Sequence, residues 1–227
     1  MQVFVSRPSC WAPGLSSAED WAAWAEGRKC PDSSDEAPAL TFTTPLFRRR
    51  LSQLSRMTVQ VVHDALAQTA CGDIPLVFVS LRGELRREFT VNEKLIKEGD
   101  VSPAAFSLSV FNAPVALATI ACKLRSGYSV ITPAGGCFAH GFAAACAPVL
   151  CGSARQVLFV YGDELVPETY GSLRPERNEP FAFAAVLSAE PGSCAGAGIP
   201  FADVRIGSPE TSCPEALLRH LLKETRG

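Results

Sequence analysis

SGYSVITPAGGCFAHGFAAACAPVLCG, residues 126–152, opens with a short apolar run (Tyr128, Val130, Ile131) that ends at Thr132-Pro133. Two glycines follow, then an Ala-rich segment of helix length with apolar residues at helical intervals, closed by Gly152. That order predicts a strand, a tight turn and a buried helix. Such a turn presents one side chain at a helix N-terminus, where free N–H groups and the macrodipole stabilise a thiolate or an oxyanion. Function therefore turns on which residue stands there.

Working outward, Pro75–Ser80 (PLVFVS) and Gln156–Tyr161 (QVLFVY) are apolar nearly throughout, as in strands covered on both faces. Gln2–Ser6 alternates as an opening strand, Phe181–Ser188 is strand-like despite its alanines, and Phe201–Ile206 predicts one more after a glycine-rich turn from Cys194 to Pro200. Between them lie helical patterns. Leu51–Thr69 has a buried stripe of Leu54, Met57, Val61, Ala65 and Leu66, Ala113–Leu124 carries almost no charge, and Pro214–Glu224 turns Leu217, Leu218, Leu221 and Leu222 inward. Ser16-x-x-Glu19 predicts a capping box ahead of Trp21 and Trp24, which should pack over the sheet edge. Arg82–Glu98 predicts a surface helix interrupted or started near Thr90, and Gly27–Pro38 a polar loop. Together these give one α/β domain over residues 1–227, with a five-stranded mixed sheet and helices on both faces.

Hydrophobic residues make up 47% of the 227 and charged ones 19%, a ratio suited to a large buried core and to a partner interface. With 21 basic against 23 acidic residues, nothing marks a nucleic-acid or other polyanionic ligand. Arg48, Arg49, Arg50 and Arg56 predict a solvated face ahead of a phosphate site. No apolar run has bilayer length and MQVFVSRPSC has no signal-like core, so no membrane insertion and a cytoplasmic location are expected. Nine cysteines, an odd number without CxxC or Cys/His spacing, argue against a disulfide framework and a zinc site; no metal or cofactor is expected.

Two stretches carry a resemblance. Residues 102–113, SPAAFSLSVFNA, resemble the segment of β-ketoacyl synthases in which a Ser-Pro turn leads into an Asn-containing helix at the dimer interface. Some twenty residues on, TPAGGCFAHGFAAACAPVLCG resembles their nucleophile elbow and buried helix. The Gln156–Glu164 strand with its Gly-Asp-Glu ending resembles the strand that comes after that helix in the family. The resemblance covers nearly the whole chain and corresponds to the N-terminal ketosynthase half of a thiolase-like fold. Each motif is weak alone; their order and spacing make the match specific.

The departures bear on function. Family members carry two active-site histidines in a C-terminal half that has no counterpart here. Counting back from Gly152, the resemblance places the nucleophile at Gly135, which has no side chain. This pattern is similar to short ketosynthase-like proteins of aryl polyene pathways, chain-length-factor-like partners. It implies a non-catalytic subunit of a heterodimer with an active, full-length β-ketoacyl-ACP synthase, acting on a polyene or fatty acyl chain, with acyl carrier protein engaged through the complex. Phe106, Leu108, Val110, Phe111, Asn112 and Leu117 would then lie at the dimer interface and acyl pocket, in a run with no charge between Asp100 and Lys123.

Cys137 and His140 support a different reading. Standing three apart at a helix start, they share a face, and a Cys there gains thiolate character. An independent acyltransferase or thioesterase-like enzyme would use Cys137. Against that, Phe138, Ala139, Phe142 and Ala143 suggest a packed helix, with Cys137 buried and His140 a buried, hydrogen-bonded side chain or pocket wall. His63 and His220 fall on amphipathic helices with nothing nearby to make them functional. A third reading is a structural module that stabilises a partner without touching substrate.

Overall fold

The computed structural model describes residues 2–69, 71–194, 199–201 and 208–224. The elements are β1 (Val3–Val5), β2 (Ser9–Trp11), α1 (Ala18–Ala25), α2 (Pro45–Arg48), α3 (Gln53–Thr69), β3 (Leu76–Val79), α4 (Leu85–Glu98), α5 (Pro103–Ser107) and α6 (Ala113–Cys122), followed by β4 (Tyr128–Ile131), α7 (Phe138–Leu150), β5 (Gln156–Asp163), β6 (Phe181–Ser188), β7 (Ile199–Phe201) and α8 (Pro214–Glu224).

One sheet runs β4-β3-β5-β6-β1-β7, with β2 also paired to β6. β4, β3 and β5 are parallel, while β6 runs antiparallel to β5 in full register from Gln156↔Ser188 to Asp163↔Phe181. The sheet is mixed, as expected, but has seven strands among the described residues, not five. The difference arises at the margins: β2 is a three-residue strand that the sequence reading did not pick out, and β7 falls mostly within the stretch read as a glycine-rich turn. The strand expected over Phe201–Ile206 overlaps β7 only at Phe201; residues 202–207 lie outside the described ones, as do 195–198 of the glycine-rich turn.

Alternation along β5 divides the core. Val157, Phe159 and Tyr161 face the layer of α1, α7 and α8, while Leu158 and Val160 face α3 and α6. Both faces being covered, β5 is buried almost throughout. On the α7 side, Phe138, Phe142, Phe159, Tyr161, Phe181 and Phe183 form a continuous aromatic cluster; Phe142 meets Phe159 edge-on with ring centroids 5.2 Å apart. α7 sits close to β3 because residue 141 is glycine: a Cβ there would come within 2.8 Å of Val79 Cγ1 and 2.9 Å of Pro133 Cγ.

Three local expectations are corrected. The capping box is Ser17/Asp20, one residue later than Ser16/Glu19: Ser17 Oγ accepts from Asp20 N at 3.1 Å, and Asp20 Oδ2 accepts from Ser17 N at 3.1 Å and Ser16 N at 3.0 Å. α4 runs unbroken through Thr90, whose hydroxyl donates to Arg86 O at 2.9 Å and so remains within the helix. Leu66 is only half-buried at the edge of the α3 stripe. Trp24 is buried as expected, beside Phe181 and under the Arg219 guanidinium, which lies 4.3 Å from its ring. All nine cysteines are free thiols. No helix among the described residues is long and apolar enough to cross a membrane.

Candidate functional site

The C-terminal ends of the parallel strands β3, β4 and β5 converge on one edge, where ligands of open α/β sheets gather. β4 leads through Thr132-Pro133 into a single 3-10 turn, Ala134–Gly136, and then α7. Gly135 (φ 63°) and Gly136 (φ 69°) are both left-handed, a conformation that favours glycine. Gly135 is exposed, and a Cβ built on it would meet nothing within 4 Å. The turn leaves open space at this position, and no side chain fills it.

Cys137 occupies the N-cap of α7 and is half-buried, not sealed as the sequence suggested. His140 is exposed, not buried, because the first turn of α7 carries it to the solvent side while Phe138 and Ala139 take the core positions. Its backbone N–H donates to Cys137 O at 3.1 Å. Among the described residues no hydrogen bond joins the Cys137 thiol to the His140 ring. His63 stacks on Phe42 with ring centroids 3.7 Å apart, and its Nδ1 lies 3.0 Å from Asp64 Oδ1.

The second feature is an apolar face. Ser102 caps α5 through its hydroxyl, which accepts from Ala105 N at 3.4 Å, and Pro103 opens the helix. Phe106 is 59% exposed, Phe111 is 36% exposed, and Leu108 and Val110 are half-buried. A cleft of about 300 Å³ between α4 and α5 is lined by Glu88, Val91, Asn92, Phe106, Val110 and Phe111. The Phe111 ring lies against Gly83, where any Cβ would come within 2.7 Å of it. Asn112, exposed at the N-cap of α6, donates through Nδ2 to the Tyr128 hydroxyl at 3.2 Å. Leu117 stands apart: it is buried in the chain's own core with α3, off the exposed face, because α6 turns Val115, Leu117 and Ala118 toward the sheet. β4 is the last strand on its side, so its outer backbone groups have no strand partner among the described residues.

A buried polar cluster, not singled out from the sequence, holds this region together. Asp163, at the end of β5, accepts from Ser80 Oγ (2.7 Å), Leu81 N (3.1 Å), Arg82 N (3.0 Å) and Tyr161 Oη (2.6 Å). Burial raises the Asp163 carboxyl pKa, and these donors with the Arg82 charge oppose the rise. Glu164 Oε1 accepts from Arg86 N at 2.8 Å, and Glu84 Oε1 accepts from Ser52 Oγ (2.7 Å) and Ser55 Oγ (2.5 Å). The readable signal was Gly162-Asp163-Glu164 directly after an apolar strand, where carboxylates reach the loops at the sheet's C-terminal edge. Among the described residues no group of three or more His, Cys, Asp or Glu side chains is placed to hold a metal ion.

A mixed sheet covered on both faces, with a glycine turn opening a central helix, makes this an α/β protein, and the solved structures it matches place it among thiolase-like ketosynthase folds. The model of the β-ketoacyl synthase N-terminal domain matches residues 21–217, and the chain belongs to that family. It is similar to a chain in the structure of a ketosynthase (ApeO) in complex with its chain length factor (ApeC) from Xenorhabdus doucetiae, at 28% identity and a TM-score of 0.73, covering 85% of this chain and 81% of that one. The ishigamide ketosynthase/chain length factor matches at 11% identity and a TM-score of 0.63, covering 85% of this chain and 63% of that one. A β-ketoacyl synthase from Burkholderia phymatum STM815 matches at 14% identity and a TM-score of 0.60, over 82% of this chain and 59% of that one. The last two establish the fold alone. No curated protein sequence matches the chain significantly.

Proposed function

We propose that this chain is a non-catalytic, chain-length-factor-like subunit that pairs with an active β-ketoacyl-ACP synthase and shapes the pocket for its growing acyl chain. The observation that carries the reading is at Gly135, an open, exposed turn without a side chain, where the resemblance places the family's nucleophile. The partner supplies the attacking Cys, both histidines and the oxyanion hole, and acyl carrier protein reaches the pair through that subunit. The likeness to a ketosynthase in complex with its chain length factor supports this division of labour. A polyene-type or fatty acyl chain and a cytoplasmic place of work complete the proposal.

The exposed Phe106 and Phe111, the Asn112–Tyr128 pair and the open edge of β4 form the face offered to the partner. Side chains on that face set how much acyl chain fits, since overfilling a packed pocket costs about 1–3 kcal/mol. A ketosynthase assayed with and without this chain tests the role. Full-length product should form only with both present, and substitutions at Phe106 or Phe111 that leave the pair assembled should shift product length. Unchanged product length and yield without the chain would refute it.

The second reading, an acyltransferase or thioesterase-like enzyme, draws on Cys137 standing half-exposed at the N-terminus of α7.

A further inference from the structure

The root of α4 is built on carboxylates where an ordinary helix has a simple cap. Its N-cap residue, Glu84, makes no side-chain capping bond. The Glu84 side chain turns back to Ser52 and Ser55 near the start of α3, and its Oε2 is buried without a hydrogen-bond partner, 3.5 Å from Arg87 Nε. The first-turn N–H of Arg86 is taken instead by Glu164, reaching across from the end of β5. Both carboxylates are 1% exposed.

The surroundings of Glu164 come from every neighbouring element. Arg82, in the loop after β3, donates to its carbonyl; Arg86 approaches from α4 and the Leu54 backbone from α3, and the Arg86 guanidinium also pairs with Asp35 at 3.5 Å. Asp163 precedes it on β5 and is saturated by four donors, while Gln53 of α3 accepts from Leu165 N. Tyr170 donates to Leu85 O from the following turn. Past this root, Val91 is the buried residue of α4, and residues 92–98 are all exposed. The helix is thus held chiefly at one end.

We propose that Glu164, buried with Glu84 at the root of α4 and bonded to its first-turn N–H, is a protonatable latch, making the attachment of that helix, and of the α4–α5 face, dependent on proton uptake. An ionised Glu164 carries a buried charge that the Glu84 charge opposes further, and protonating Glu164 relieves both. Burial first, and then the Glu84 charge, push Glu164 up to about 7. A folded-state value above the unfolded one means that the folded chain retains a proton the unfolded chain has lost. The stabilisation is therefore fully present at acid pH and is lost as pH rises through about 7.

The test is hydrogen exchange of the α4 amides in the full-length chain, corrected for intrinsic base catalysis. One titration centred near 7 makes the opening equilibrium about tenfold larger at pH 8 than at pH 6. Glu164→Gln should flatten that dependence, and Glu84→Gln should move its midpoint to lower pH by removing the like charge. Parallel pH profiles in wild type and Glu164→Gln would overturn the proposal. Should Glu164→Gln fail to fold, a carboxyl-carbon NMR titration of the wild type decides: one glutamate titrating near neutrality supports the latch, and ordinary values for all of them contradict it. The experiment needs no ketosynthase, so its outcome is separate from that of the proposed function.

Discussion

Asn112 Nδ2 donates to the hydroxyl of Tyr128 at 3.2 Å, joining the N-cap of α6 to the first residue of the edge strand β4. Asn112 makes no capping bond to its own helix, so its amide is spent on this cross-link. The bond fixes the apolar α5–α6 surface beside the open strand edge and makes one continuous face of the two. Tyr128 is 38% exposed, so water compensates much of a lost hydrogen bond in the free protein. Tyr128→Phe should cost the isolated chain no more than about 1 kcal/mol by urea denaturation, while weakening association with the ketosynthase at least tenfold by titration.

Two glycines only six residues apart should lose stability to a methyl group for different reasons. At Gly141 a Cβ would press into Val79 and Pro133, forcing α7 off β3. Gly141→Ala should lower stability by about 1–3 kcal/mol, the usual cost of overpacking. Gly135→Ala meets open space and bears only the left-handed backbone cost, about 1–2 kcal/mol, with no change in the denaturant slope. Paired urea titrations measure both, and product formation by the reconstituted pair should survive Gly135→Ala.

Cys137→Ala separates the enzyme from the subunit. Condensation by the assembled pair should stay within about threefold of wild type, since the loss of a working nucleophile costs orders of magnitude in kcat. A fall of a hundredfold or more, with the pair still assembled, would move the chemistry onto this chain.

What the sequence revealed depended on length and burial. β5 and β6 each run eight residues, and α3, α7 and α8 carry enough turns for their periodicity to show. The three-residue β2 was missed, and β7 straddles the junction between the glycine-rich turn and the strand expected from Phe201. Ser16 and Ser17 are chemically equivalent candidates for the α1 cap, and only the backbone selects the second. Phe106 and Phe111 were legible as a charge-free run, but Leu117 in the same run is core, because a helix divides one apolar stretch between two environments. The Glu84–Glu164 cluster was invisible for another reason: its members stand eighty residues apart and are brought to the root of α4 only when β3 and β5 lie side by side.

The central claim is assembly with a ketosynthase through the α5–α6 face, and size-exclusion chromatography of the co-expressed pair tests it most directly. Phe106, the more exposed of the two aromatics, is the cleaner probe, because Phe111 also packs on Gly83 within the chain. Wild type should co-elute with the ketosynthase as a heterodimer. Phe106→Asp would bury an unpaired charge at the contact, and should elute apart while retaining the wild-type melting curve. A wild-type chain that runs as a monodisperse monomer beside the ketosynthase, or a Phe106→Asp variant that still co-elutes, would contradict the account.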